Sequence, residues 1–402
     1  MDSSPKLPAE SVALLDQARE EISHALRTGS ASDPRLVEAL ASRLASIRVD
    51  IPEQLRLMLD AVRFFYLSGH AFTGLPIAQQ ARSLASESAN QAATFDSLLL
   101  VGVCAADTGG LPTAMEAYAD ALRLAQAAGD PFREGRVWQN LGVALMYAGL
   151  YSEAINCFEC VIAKAEHEPR LAAATGRAYA NIALCRLNLD EIRYGLVAIE
   201  KAVELSVDAD TAESSLNRVI LENNFTRLLL EANNFDAAKE HAKLARLYAN
   251  KSKLPRADIS AAVAEGLAEV FSGQLDVGIT RLTKMLDRAK ALKNNTREVL
   301  MALVKSFEFA GKPDLALIYL RQLLEQQSAT QKQNVLQHVK LDLEKLHPAI
   351  EDETNAIRRL TTRQEVLEGR IAKQALFKAQ VESMERMAVV AELRDDSTGA
   401  HS

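Results

Sequence analysis

In 402 residues the chain has one tryptophan, four cysteines and no run of eighteen apolar residues. Each shortage excludes something. Without a long apolar run, no segment reads as a membrane-spanning helix. Cys104, Cys157, Cys160 and Cys185 are too few to staple a chain this long as a secreted disulfide framework. Prolines number 11, glycines 18, and aromatics make up only 5%. A β-sandwich or barrel uses more turn formers and more β-branched or aromatic residues. Lys and Arg together number 46 against 53 Asp and Glu, a net charge of -7 with no dominant basic block. That balance does not suggest a nucleic-acid surface. The start, MDSSPKLPAESVALL, has neither a basic n-region nor an apolar h-region, so it reads as no signal peptide. A cytoplasmic location is expected.

What the chain has in quantity is alanine, about one residue in six, within a hydrophobic share of 48%. That composition excludes wholesale disorder. It points to helices packed closely through small side chains.

The arrangement of those residues repeats. A turn-forming residue recurs at Gly69, Gly109, Gly149, Asp190, Asn233, Gly273 and Gly311, at spacings of 40, 40, 41, 43, 40 and 38. Five residues after each stands a small one: Gly74, Ala114, Ala154, Gly195, Ala238, Gly278, Ala316. Four further on come Ala78, Tyr118, Phe158, Ile199, Ala242, Leu282 and Leu320, and three beyond those Ala81, Ala121, Val161, Ala202, Ala245, Met285 and Leu323. Steps of three and four place these columns on one helical stripe. Gly, Asn or Asp before them closes the preceding helix in the left-handed conformation. Each unit is a helical hairpin that buries its face only against its neighbours, which predicts a solenoid.

The unit Trp138-x-x-Leu141-Gly142-x-x-Leu145-x-x-x-Gly149-x-Tyr151-x-x-Ala154-x-x-x-Phe158 resembles the tetratricopeptide (TPR) repeat. Val101-Gly102, Gly109, Ala114, Tyr118 and Ala121-Leu122 resemble it again. The family repeat has about 34 residues, so the extra length here is expected in the helices and the linking turn, as over 125–136. The resemblance implies an all-α fold, a right-handed TPR-like solenoid of about seven hairpins over 51–330. Residues 1–50 are expected to form a helical cap, broken at Ser30–Pro34. Long-period repeats of this kind are common in peptide-sensing and scaffold members of the family.

After Gln327 the period changes. Leu336, Val339, Leu343, Leu346, Ile350, then Ile357, Leu360, Leu367 and Ile371 step by alternating threes and fours, a heptad seam. The phase slips near Gln374–Phe377 and resumes at Val381, Met384, Ala388 and Ala391. A coiled-coil signalling helix over 331–394 is expected, pairing two copies as a homodimer through 349–394. The end, Glu392-Leu-Arg394-Asp395-Asp-Ser-Thr398-Gly399-Ala-His401, resembles the opening of an HD-GYP cyclic-di-GMP phosphodiesterase domain. No histidine here is followed by Asp, and the Gly-Tyr-Pro motif is absent. Residues 395–402 therefore read as a tail or as the start of a missing output domain.

No catalytic frame stands out: there is no glycine-rich phosphate loop, no Gly-x-Ser-x-Gly and no recognisable carboxylate pair. Cys157-x-x-Cys160 is one pair where a zinc site needs four ligands, so it reads as packing. Neither a metal nor a cofactor is expected, and the chain is not read as an enzyme. The binding candidates are Asn140, Asn181 and Asn224, each nine residues before a turn residue. The resemblance places this column on the concave groove, where amides both donate to and accept from an extended peptide. Arg136, Arg177 and Arg227 share those hairpins and suit a ligand carboxylate or phosphate. The expected function is a regulatory sensor module: a peptide or protein partner binds in the groove, and the coiled coil passes the state onward. The alternative is a stand-alone TPR scaffold. No membrane or nucleic-acid partner is expected.

Overall fold

The computed structural model describes residues 50–206, 211–291 and 296–328, together with 16–18, 20–22 and 24. Most of the expected cap, the coiled coil and the C-terminal tail lie outside the described residues. Of the cap, Ala18 and Ile22 are buried.

Fourteen α-helices run from Ile51 to Ser328, residues 16–18, 20–22 and 24 are helical too, and there is no strand among the described residues. They pair in chain order: α1 (Ile51–Leu67) with α2 (Ala71–Glu87), α3 (Gln91–Asp107) with α4 (Leu111–Ala127), α5 (Pro131–Ala148) with α6 (Tyr151–Ala165), and α7 (Ala172–Asn188) with α8 (Ile192–Glu204). Then come α9 (Ala212–Glu231) with α10 (Phe235–Ser252), α11 (Pro255–Phe271) with α12 (Leu275–Ala291), and α13 (Arg297–Phe309) with α14 (Pro313–Ser328). Each hairpin packs on the next, so the fold is a TPR-like helical solenoid.

The turn column explains the hairpins. All seven of its members have positive φ, from 59° at Asn233 to 89° at Gly273. Six are unstrained there as Gly or Asn; Asp190, at 66°, is the costlier choice. At every one the next residue's N–H donates to the carbonyl five residues back: His70 to Phe65, Gly110 to Ala105, Leu150 to Leu145, Glu191 to Arg186, Asn234 to Leu229, Gln274 to Glu269 and Lys312 to Phe307. This is the Schellman closure, and it satisfies carbonyls that a helix end leaves orphaned. The linkers between hairpins vary: residues 253–254 alone follow α10, whereas residues 166–171 follow α6. Between α4 and α5 only Ala128–Asp130 intervene, so the residues beyond a 34-residue repeat went into the helices there and not into the turn. Asp130 caps α5 by accepting from the N–H groups of Phe132 and Arg133, each at 3.1 Å.

The small column lies buried throughout. A Cβ at Gly278 would stand 2.4 Å from the carbonyl oxygen of Gly266, so α12 crosses α11 closer than any side chain permits. The rings of Tyr118 and Phe158 fill the spaces left by Gly102 and Gly142, where a Cβ would come within 2.4 and 2.6 Å of ring carbon. The third column holds except at Met285, which is half-buried while Leu286 is buried instead. Gly278, Leu282 and Ala289 keep the phase of the other second helices, so the change is confined to the level of Met285 and Leu286.

The solenoid also closes on itself. Arg256, in the first turn of α11, forms an ion pair with Asp107 at the end of α3 at 2.5 Å. It donates to the carbonyl of Tyr66 at 3.3 Å and lies over the Tyr66 ring at 4.7 Å. Leu67 packs beside the cluster containing Leu216, Leu254 and Ala257. The sixth hairpin therefore touches the first and second, and the concave face becomes a partly enclosed chamber.

Candidate functional site: the concave chamber

The chamber has a volume of about 710 Å³. That falls within the usual range of ligand sites, roughly 300–1,000 Å³. All six residues singled out from the sequence line it: Arg136 and Asn140 on α5, Arg177 and Asn181 on α7, Asn224 and Arg227 on α9.

Their present partners differ. Asn140 Nδ2 donates to the Arg136 carbonyl within its own helix at 2.9 Å. Asn224 is buried, and its Nδ2 donates across to the Ala180 carbonyl of α7 at 3.3 Å. It thus ties two hairpins together with its amide N–H. Asn181 is 9% exposed. The Arg136 guanidinium is 3.0 Å from Asp96 of α3. Arg177 and Arg227 make neither hydrogen bond nor ion pair within 4.0 Å among the described residues. Desolvation by the surrounding wall lowers the pKa of both below the usual arginine value, although Arg177 is exposed and Arg227 half-buried. Glu213 partly opposes this at Arg177, and Glu298 at Arg227.

Sequence reasoning missed the rest of the wall. Arg256 and Tyr66 form the closure. Burial alone would weaken the proton hold of Arg256; Asp107, Tyr66 and Tyr147 outweigh it and raise the pKa well above the usual arginine value. Glu298 takes a hydrogen bond from Ser260 Oγ at 3.1 Å and another from Asn223 Nδ2. Asn223 also donates to Ser260 at 2.9 Å. Arg218 Nε lies 2.9 Å from the buried carboxylate of Glu222, whose other oxygen meets His241 Nδ1 at 2.6 Å. A signal for two of these existed. Ser260 and Glu298 stand 13 residues before their turn residues, in the same column as Asp96, Arg136 and Arg177.

Some buried acceptors have no partner. Among the described residues, Gln139 Oε1 and Asn223 Oδ1 receive no hydrogen bond, and Gln139 lines the chamber. Elsewhere the thiols behave as packing. Cys104 and Cys185 are fully buried and Cys157 nearly so. Burial pushes Cys104 up to about 12 and Cys157 well above the usual thiol range. No helix among the described residues is long and apolar enough to cross a membrane.

No protein-family model matches the chain, and no curated protein matches it. Among solved structures, a Rap protein complexed with Competence and Sporulation Factor superposes with a TM-score of 0.61 at 12% identity, over 82% of this chain and 89% of that one. NprR in complex with its cognate peptide NprX gives 0.48 at 11% identity, over 84% of this chain and 100% of that one. The Cut9–Hcn1 assembly gives 0.47 at 14%, over 83% of this chain and 62% of that one. The first of these likenesses shows the fold and nothing finer: the chain shares the TPR-like solenoid architecture of a Rap protein.

Proposed function

We propose that the protein is a regulatory module that binds a peptide, or an extended segment of a protein, in the concave chamber. The observation that carries this is the convergence of asparagine and arginine side chains from three successive hairpins on one cavity of about 710 Å³. Amides at one helical level of α5, α7 and α9 meet the repeating donors and acceptors of an extended backbone. The hydroxyl–carboxylate contact of Ser260 with Glu298 at 3.1 Å shares its carboxylate oxygen with Asn223 Nδ2, so binding is the reading that the side chains support. The solved Rap protein of similar fold is described in complex with a factor, and that supports a ligand-holding role for this architecture.

The proposal extends to the residues after the solenoid. Binding shifts the curvature of the hairpins, and a coiled coil over 331–394, paired in a homodimer, passes the shift to an output. A coupling of about 1–3 kcal/mol suffices for such a relay. The heptad seam and the resemblance of the last residues to an HD-GYP opening support this extension. Its tests are light scattering on the full chain and on one ending at Gln327, and the reading frame beyond the codon for Ser402. Monomers in both preparations reject the dimer. A frame without His-Asp and Gly-Tyr-Pro rejects the cyclic-di-GMP output.

The binding proposal itself is tested with the full chain and a pool of randomised pentapeptides. Retained peptides are read by mass spectrometry. Wild type retains peptides, and the joint replacement of Asn140, Asn181 and Asn224 by alanine releases most of them. A wild-type protein that retains none rejects the proposal. Retention unchanged in the triple variant, with an intact helical signal, rejects the amide ladder.

A further inference from the structure

The chamber wall is unbalanced in charge. The lining includes six arginines and two glutamates, Glu213 and Glu298, in a chain whose net charge is -7. Three of those arginines are neutralised from behind by acids: Arg136 by Asp96 at 3.0 Å, Arg218 by Glu222 at 2.9 Å and Arg256 by Asp107 at 2.5 Å. Arg177 and Arg227 have no such acid within 4.0 Å among the described residues. The acid nearest in effect to Arg227 is Glu298, and its Oε1 is already taken by Ser260 and Asn223. Two cations in a concave, partly dehydrated space, each without a close counter-charge, create a field that concentrates anions.

The register between α7 and α9 locates them. Asn224 meets the carbonyl of Ala180, which sets those two levels side by side. Arg177 lies three residues before Ala180, and Arg227 three after Asn224. Each is about 4.5 Å from that level along its helix, on opposite sides. The backbones of the two arginines therefore lie on opposite sides of the level that Asn224 and Ala180 share. Gln139 also lines the chamber, but its Oε1 is shut off from solvent and is not offered to a ligand. A peptide carrying carboxylates meets the two arginines with its charge and the asparagine amides with its backbone.

We propose that the chamber selects acidic peptides, with ligand carboxylates held by Arg177 and Arg227. This rests on the peptide-binding reading and adds the charge class of the ligand. Lysine in place of either arginine keeps the charge and loses the planar fork, whereas glutamine loses the charge and keeps hydrogen bonding.

The test uses the full chain and the same pentapeptide pool, in free-acid and amidated forms, and compares wild type with Arg177→Gln, Arg227→Gln and Arg177→Lys. Unshifted melting curves establish that the variants are folded. In the peptides retained by wild type, Asp and Glu are expected to be enriched on the order of ten-fold over the input, the worth of one charge-assisted contact. Each glutamine variant should bring this enrichment towards unity while still retaining peptides, and Arg177→Lys should keep part of it. If peptides are retained without acidic enrichment, or if enrichment survives in both glutamine variants, the charge assignment is wrong and peptide binding stands. If wild type retains no peptide in either form, both readings fall together.

Discussion

Replacing Arg256 by methionine should open the solenoid. In the ion pair with Asp107 the side chains are 15% and 4% exposed. Methionine keeps much of the stem over the Tyr66 ring and removes the charge, leaving the Asp107 carboxylate buried without its partner. Removing one member of a buried pair costs about 3–5 kcal/mol, because the remaining charge is desolvated and uncompensated. Here the chain has a way out that a globular core lacks. If the first and second hairpins swing away from the sixth, Asp107 regains water. The cost is then capped by the free energy of closure, and the loss shows as expansion as well as reduced stability. Urea denaturation reads the first effect, small-angle scattering the second. Arg256→Met and Asp107→Asn should each lower the urea midpoint and raise the radius of gyration. The double variant should cost much less than the two combined, since no charge is stranded in it. Singles that each cost under about 1 kcal/mol, with scattering curves that superpose on wild type, would refute the reasoning.

Three further outcomes follow from packing and burial. Gly142→Ala places a Cβ 2.6 Å from the Phe158 ring and should destabilise, since overpacking costs about 1–3 kcal/mol against a helix-propensity gain near 1; Gly74→Ala meets nothing closer than 3.4 Å and should be neutral or stabilising in the same thermal melts. A thiol reagent at neutral pH should label Cys160, which is half-buried, well before the three buried thiols, and those should react only as the chain unfolds. Stability should be insensitive to the thiols below about pH 8 and fall above pH 9. Burial raises Cys104 from 9.0 to about 12, so the unfolded chain loses that proton first, and each such group steepens the decline by roughly 1.4 kcal/mol per pH unit across that window. A stability curve flat to pH 11 would contradict the burial of these thiols.

The turn column was legible because its cause is local. A left-handed residue, a bond back over one turn and a small residue five places on all lie within one hairpin, so Gly149 and Ala154 carry their meaning in the sequence. The positions of Arg136, Asn140, Arg177 and Asn181 around one chamber were legible for a related reason: equal offsets from equal turns bring side chains to equal levels. Ser260 and Glu298 obey the same offset and were overlooked only because they are not amides or arginines. The closure was not legible. Arg256 lies 149 residues from Asp107 and 190 from Tyr66, and a repeat period says nothing about how far a superhelix must travel before it meets itself. The bond from Asn224 to Ala180 was hidden for the same reason, since it depends on the rotation between hairpins.

Helix α9 gives the array a fixed point. Glu222, Asn223, Asn224 and Thr226 are at most 2% exposed, four polar side chains within five positions in the middle of an otherwise apolar stack. Apolar faces in a solenoid are largely interchangeable, and a helix sliding by one turn finds another alanine to sit against. Asn223 has no such freedom, because only one register brings it to both Ser260 and Glu298, nor has Glu222, whose carboxylate must meet His241 of α10. Apolar contacts make the hairpins stack, but these bonds number them. A hairpin could be duplicated or excised elsewhere and the neighbours would still adhere, whereas a shift at α9 would leave several buried polar groups unanswered at once.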